Sequence, residues 1–180
     1  MNVLRSLKYG YLAYFSKPVS DRLLVRTVHK LKPRRIVQLG IGLGERTRRM
    51  FEIALWHHAP ESMRFVGIDL FEARNGGTPG MPLKQAHAML KPSGIKVQLV
   101  PGDPLSALMR TANTIPGNDL LLVSADQDQD SLTQAWFFVP RILHPQSLVL
   151  LETANGWQIL QSADIERLAS ASPRAQRRAA

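Results

Sequence analysis

Residues 34 to 50, RRIVQLGIGLGERTRRM, constrain this chain more than any other stretch. They read as a short apolar strand over 36 to 39, a tight turn with Gly40, Gly42 and Gly44, and then a helix. Glycine accepts positive φ and lets a ligand come close to the backbone. A helix that starts just past such a turn aims unpaired N–H groups and a positive dipole end at whatever sits there.

The same alternation of strand and helix recurs along the chain. Further strands are predicted over 64 to 68, 96 to 100, 119 to 124 and 147 to 152. Helices are predicted over 45 to 57, 83 to 91 and 104 to 112, the last capped by Asp103 with Pro104 at its first position. Another, capped by Asp130 or Ser131, runs to about 139 and is closed by Pro140. A short strand at 157 to 160 and a helix at 162 to 169 follow. Five alternations, the fourth strand a continuous apolar run, imply an α/β fold: a Rossmann-like, doubly wound, mainly parallel sheet flanked by helices. The expected organisation is an N-terminal helical segment (1–33), a Rossmann-like domain (34–170) and a disordered basic tail (171–180). No internal repeat is found.

In the N-terminal segment, Val3, Leu7, Tyr11 and Tyr14 or Phe15 lie near helical spacing. Lys17-Pro18 breaks that helix, and Ser20 is expected to cap a second one over 21 to 31, with Leu23, Leu24 and Val28 inward. The pair could pack on the sheet edge, form a lid, or lie on a membrane surface; packing or a lid is the favoured reading. Residues 1–50 hold 12 Lys and Arg against 2 Asp and Glu, whereas residues 51–171 hold 8 against 12. The basic character, formally +9 for the chain, therefore belongs to its ends. Such asymmetry suits an anionic partner, nucleic acid or an anionic membrane surface, or simply a solubilising face. There is no apolar run of transmembrane length and no secretion signal. The absence of cysteine rules out disulfides, thiol catalysis and cysteine–zinc sites, and fits a reducing, cytoplasmic setting.

In a doubly wound sheet, ligands bind at the carboxyl ends of the strands where strand order reverses. Gly40 to Gly44, Asp69, Asp103 and Asp126 all fall just past predicted strand ends. Asp69, 25 residues after Gly44, is placed to accept hydrogen bonds from a ribose. The glycines run G-I-G-L-G rather than G-x-G-x-x-G, and Glu45 at the helix start would repel a pyrophosphate. S-adenosylmethionine (SAM), a sulfonium cation without phosphate, meets no such objection. No G-x-x-x-x-G-K-[ST] sequence is present for a nucleoside triphosphate.

Over residues 34 to 152 the chain resembles the class I SAM-dependent methyltransferases, and its layout is similar to the small O-methyltransferase-like branch. IVQLGIGLG is similar to the family's first motif, RFVGIDLFEA to the second, VPGDPLSAL to the third and DLLLVSADQD to the fourth. The resemblance implies SAM as cofactor, with Gly40, Gly42, Gly44, Asp69, Leu70, Gly102 and Asp103 around it and Asp69 on the ribose. Gln38 stands where the family usually carries an acid near the methionine amino group. Ser124 stands where metal-dependent members carry an Asp, so no obligatory metal is expected. The N-P-P-Y type motif of enzymes that methylate amino groups of bases is absent, and the segment after strand five is short, which implies reduced C-terminal strands.

Methyl transfer from a sulfonium is an in-line displacement with an activated leaving group, so positioning carries much of the catalysis. A hydroxyl acceptor would gain from a base, and Asp126 at the mouth end of strand four is the candidate; His87, His144 and Trp157 are weaker ones. Three classes remain open: a small-molecule O-methyltransferase, a methyltransferase acting on RNA or ribosomal material through the basic N-terminus, and a non-catalytic SAM-binding domain. Steep salt dependence of binding would mark the second, and absence of SAM binding would weigh against the first two.

Overall fold

The computed structural model describes residues 3–74, 77 and 80–175. Six strands, β1 (Arg35–Leu39), β2 (Arg64–Asp69), β3 (Lys96–Pro101), β4 (Asn118–Val123), β5 (Leu143–Thr153) and β6 (Gly156–Leu160), form one sheet in the order β3-β2-β1-β4-β5-β6. The first five are parallel, and β6 returns antiparallel beside β5. Among the described residues, eight α-helices connect and flank them: α1 (Val3–Tyr14), α2 (Asp21–Leu31), α3 (Glu45–Ala54), α4 (Leu83–Leu90), α5 (Pro104–Thr111), α6 (Gln129–Ala135), α7 (Val139–Ile142) and α8 (Ser162–Ala171). Strand order reverses between β1 and β4, which sets the crevice of a doubly wound sheet above their carboxyl ends.

Side chains alternate across each strand and so feed two cores. Val37, Leu39, Leu121, Val123 and Val149 join one core with α5, α6 and α8 residues. Ile36, Leu120, Leu122 and Leu150 join the other with residues of α1, α2 and α3. Both faces of β4 are therefore covered, as its unbroken apolar run requires. Gln38 falls on the second face. It is fully buried, accepts from Thr47 Oγ1 at 2.9 Å and donates to the Gly40 carbonyl at 2.7 Å. The amide ties strand, bend and α3 together from beneath.

Several boundaries differ from expectation for local reasons. Ser20 makes no side-chain cap; the helical turn already begins there, and Asp21 instead receives Arg46 and Arg49. Asp128, rather than Asp130 or Ser131, caps α6, accepting from Ser131 N at 2.8 Å. Pro140 does not close the helical path. It sits in the first turn of α7, where the missing N–H is harmless. The predicted stripe of α1 faces outward, and the helix buries Leu12 and Ala13 instead. Residues 171 to 175 continue from α8, with Ser172 fully buried, and the remainder of the predicted tail lies outside the described residues.

Replacing Thr47 by Val removes a hydroxyl from a buried amide acceptor. Thr47→Val is expected to lower unfolding free energy by about 1–3 kcal/mol, and Thr47→Ser by much less, read from urea denaturation.

Candidate functional site

The carboxyl end of β1 turns sharply at Gly40, Gly42 and Gly44, all with positive φ (86°, 60° and 75°), and α3 begins at once. At Gly40 a side chain would also meet the fixed Ser124 Cβ, while at Gly44 the positive φ decides and the neighbours are flexible methionine ends. A Cβ at Gly40 would lie 2.4 Å from Gln127 Nε2 and 2.8 Å from both Asp126 Oδ1 and Ser124 Cβ. One at Gly44 would lie 2.1 Å from Met89 Cε. The bend is narrow at Gly40 because the β4–α6 loop closes on it, a reason for glycine that ligand approach alone does not supply.

Asp69, at the end of β2, meets this bend directly. Its Oδ2 accepts from Ile41 N at 2.6 Å and Gly42 N at 3.0 Å, and its Oδ1 accepts from Phe71 N at 3.0 Å. Arg74 then forks onto it, Nε to Oδ1 at 2.7 Å and Nη2 to Oδ2 at 2.6 Å, and reaches Asp126 Oδ2 with Nη1 at 2.6 Å. One guanidinium thus holds both carboxylates, Asp69 in the bidentate manner arginine favours and Asp126 through one bond. Burial alone would raise the Asp69 pKa, but the Arg74 fork and the amides of Phe71, Gly42 and Ile41 outweigh it and hold it below the ordinary 3.8. The same Asp69 bond, with Asp126, raises Arg74 despite its burial. Phe71 holds a left-handed φ of 49° while its side chain packs beside Ile41. A non-glycine residue stays in that region only where its surroundings fix it, and here Asp69 grips its N–H.

Among the hollows on this edge of the sheet, two are lined by Asp126. One, about 240 Å³, is lined by Leu70, Arg74, Asp103, Pro104 and Asp126 to Asp128. The other, about 420 Å³, is lined by the glycine bend, Pro18, Asp21, Glu45, Arg46, Ser124, Asp126 and Glu152, among others. Asp126 belongs to both. Asp103 caps α5 at the first hollow: Leu105 N (3.0 Å), Ser106 N (3.1 Å) and the Ser131 hydroxyl all donate to its Oδ1. Burial pushes its carboxyl up, and hydrogen bonding by the Ser106 and Ser131 side chains and the Ser106 amide brings it down to about 2. Gly102, φ 138°, passes so close to α5 that a Cβ would lie 2.7 Å from Ser106 Oγ.

The sequence therefore brings Gly40, Gly42, Asp69, Leu70, Asp103 and Asp126 to one edge. Gln38 lies below the bend rather than in either hollow. Ser124 gives its hydroxyl to the Gly40 carbonyl at 3.0 Å. His144 pairs with Asp119 at the opposite, amino end of β4, and His87 is exposed on α4. Sequence reasoning missed Arg74 and the network under the larger hollow. There Arg46 forks onto Glu152 (2.7 and 3.1 Å), reaches Asp21 at 3.0 Å and lies 4.9 Å from the Trp157 ring centroid. Three arginines in the first turns of α3, against the helix dipole, were the available signal. Arg46 and Arg49 are there to meet Asp21 and Glu152.

No family model matches the chain, and no curated protein matches it in sequence. Solved structures do match. An O-methyltransferase from Bacillus cereus, in complex with SAH, is 16% identical with a TM-score of 0.57, over 96% of this chain and 78% of that one. The O-methyltransferase TomG from Streptomyces achromogenes, in complex with SAM, is 17% identical with a TM-score of 0.55, over 84% of this chain. A methyltransferase from Geobacter sulfurreducens is 21% identical with a TM-score of 0.52, over 82% of this chain and 66% of that one. The chain spans 65% of the length of TomG.

A carboxyl with a folded pKa below its unfolded one stabilises the fold above the unfolded value, and that contribution fades as pH falls through the folded one. For Asp103 the window runs from the ordinary 3.8 down to about 2. Asp103→Asn, which keeps a capping oxygen, is expected to flatten the loss of stability across that window in urea titrations at stepped pH. The sheet order, the bend at its switch point and the solved neighbours together give this chain a Rossmann-like fold, the one it shares with these O-methyltransferase structures.

Proposed function

We propose that this chain is a SAM-dependent methyltransferase acting on a hydroxyl of a small molecule. The observation that carries the reading is the contact of Asp69 with the amides of Ile41 and Gly42 at the switch point, beside the hollow lined by Leu70 and Asp103. Of the five donors on Asp69, two belong to a side chain that can move, Arg74 Nε and Nη2. Ribose hydroxyls can replace those two while the three backbone amides stay. Leu70 and Pro104 offer apolar contact to a purine. The three donors on Asp103 all use Oδ1, which leaves Oδ2 for the purine amino group. Gly42 and Gly102 supply backbone at the rim, and Gly40, Gly44 and Gln38 hold the bend's shape.

The larger hollow suits a cation better than a phosphate. Asp21, Glu45, Asp126 and Glu152 line it, against Arg46 and Arg49. SAM, when bound, supplies a methyl group already activated on a sulfonium. The chain's part is to orient that cofactor and the acceptor, which contributes several kcal/mol. Asp126, once Arg74 leaves it, can take the acceptor's proton. The reading includes no obligatory divalent cation, because Ser124 stands where a hard cation would need a carboxylate. A cysteine-free chain fits the reducing cytoplasm.

Isothermal titration with SAH tests the reading. The wild type is expected to bind. Asp69→Ala should weaken binding by roughly 100-fold, the loss of a charged pair of hydrogen bonds. Arg74→Ala should strengthen it by about tenfold, because no ion pair then needs breaking. Circular dichroism checks that both variants fold. No SAH binding by the wild type and by Arg74→Ala would overturn the proposal. In a screen of small phenols and alcohols with labelled SAM, methyl transfer is expected to persist in excess EDTA.

A further inference from the structure

The outer face of α1 is apolar. Val3, Leu7, Tyr11 and Tyr14 recur at helical spacing on one side, and they are 72%, 67%, 60% and 52% exposed. Phe15 (72%) and Val19 (63%) extend the strip past the helix end. The opposite side of α1 buries Leu12 and Ala13, with Tyr9 packed against the same core. A helix apolar on both sides is normally covered on both. A cluster of this size is more than scattered surface residues. The 12-residue helix presents it over about 18 Å.

The charge around the strip identifies what covers it. The segment that carries the strip holds Arg5, Lys8, Lys17, Arg22, Arg26 and Lys30, and the sole acid between residues 3 and 30, Asp21, is buried against Arg46 and Arg49. Lys8 alone of the six reaches Glu52 in a salt bridge. Arg26 lies 5.9 Å from the Tyr14 ring centroid, so cation and aromatic share the same surface. A second copy would bring together two segments that each hold six cations and one buried acid over residues 3 to 30, a repulsive pairing. Nucleic acid would engage the cations and leave the aliphatic strip unused. A bilayer with anionic headgroups meets both needs: acyl chains accept Leu and Val, Tyr and Phe sit at headgroup depth, and each nearby cation adds attraction.

We propose that the outer face of α1 docks the protein on an anionic membrane surface, lying in the interface without crossing it. No helix among the described residues is long and apolar enough to span a bilayer. The proposal is independent of the methyl-transfer reading.

Cosedimentation of the full chain with vesicles tests it. Wild type should bind mixed phosphatidylserine–phosphatidylcholine vesicles and release with salt. Binding to pure phosphatidylcholine should be roughly tenfold weaker or less. The triple variant Leu7→Ser, Tyr11→Ser, Phe15→Ser keeps every charge and changes only exposed positions. It should hold the wild-type melting temperature and lose binding by about tenfold or more. Three results would overturn the proposal: no binding of wild type to the anionic vesicles, equal binding of wild type and triple variant, or equal binding to neutral vesicles. A dimer in sedimentation equilibrium that the triple variant dissolves, without vesicle binding, would assign the face to a second copy instead.

Discussion

One carboxylate holds the functional edge together. Asp69 takes the amides of Ile41 and Gly42 from the bend after β1, the amide of Phe71 from its own loop, and the Arg74 fork. A buried charge of this kind is tolerable only when every lone pair finds a donor, and here five donors converge on two oxygens. Remove the carboxylate and the bend loses its anchor to β2, Phe71 loses the partner that holds its left-handed backbone, and Arg74 loses the partner it grips with two bonds.

The parallel sheet makes this convergence happen. β1 lies between β2 and β4, so their carboxyl ends emerge side by side although residues 40, 69 and 126 are far apart in sequence. Arg74 then bridges the loops that follow β2 and β4, and Arg46 does the same for α2, α3 and β5 through Asp21 and Glu152. Each guanidinium satisfies two acids from different segments. The two networks flank the switch point, one at each hollow.

The N-terminal helices follow a different logic. α2 packs its Leu24, Val25 and Val28 into the core it shares with α3, and Asp21 at its start lines the larger hollow. α1 is added outside α2 and turns its more apolar side to solvent. Periodicity alone could not distinguish that side from the inward one, because a stripe of Val3, Leu7, Tyr11 and Tyr14 signals a helix face and not its neighbour.

The sequence by itself determined the layered α/β fold, the glycine bend, the acid after β2 and the Asp103 cap of α5, since each depends on local conformation or on period. Alternating strands and helices leave few topologies, and a buried parallel sheet admits ligands at one edge. Tertiary structure alone decided what touches what. Gln38, read beside the ligand, lies beneath the bend because strand alternation gives its side chain to Thr47. Gly40 is confined by Ser124, distant in sequence, whose Cβ would lie 2.8 Å from a Cβ there, whereas Gly44 answers to its own φ of 75°. Arg74, five residues from Asp69 in a glycine- and proline-rich loop, shows no period and no cap to betray it. Its role arises only when the loops after β2 and β4 are brought within reach of one guanidinium.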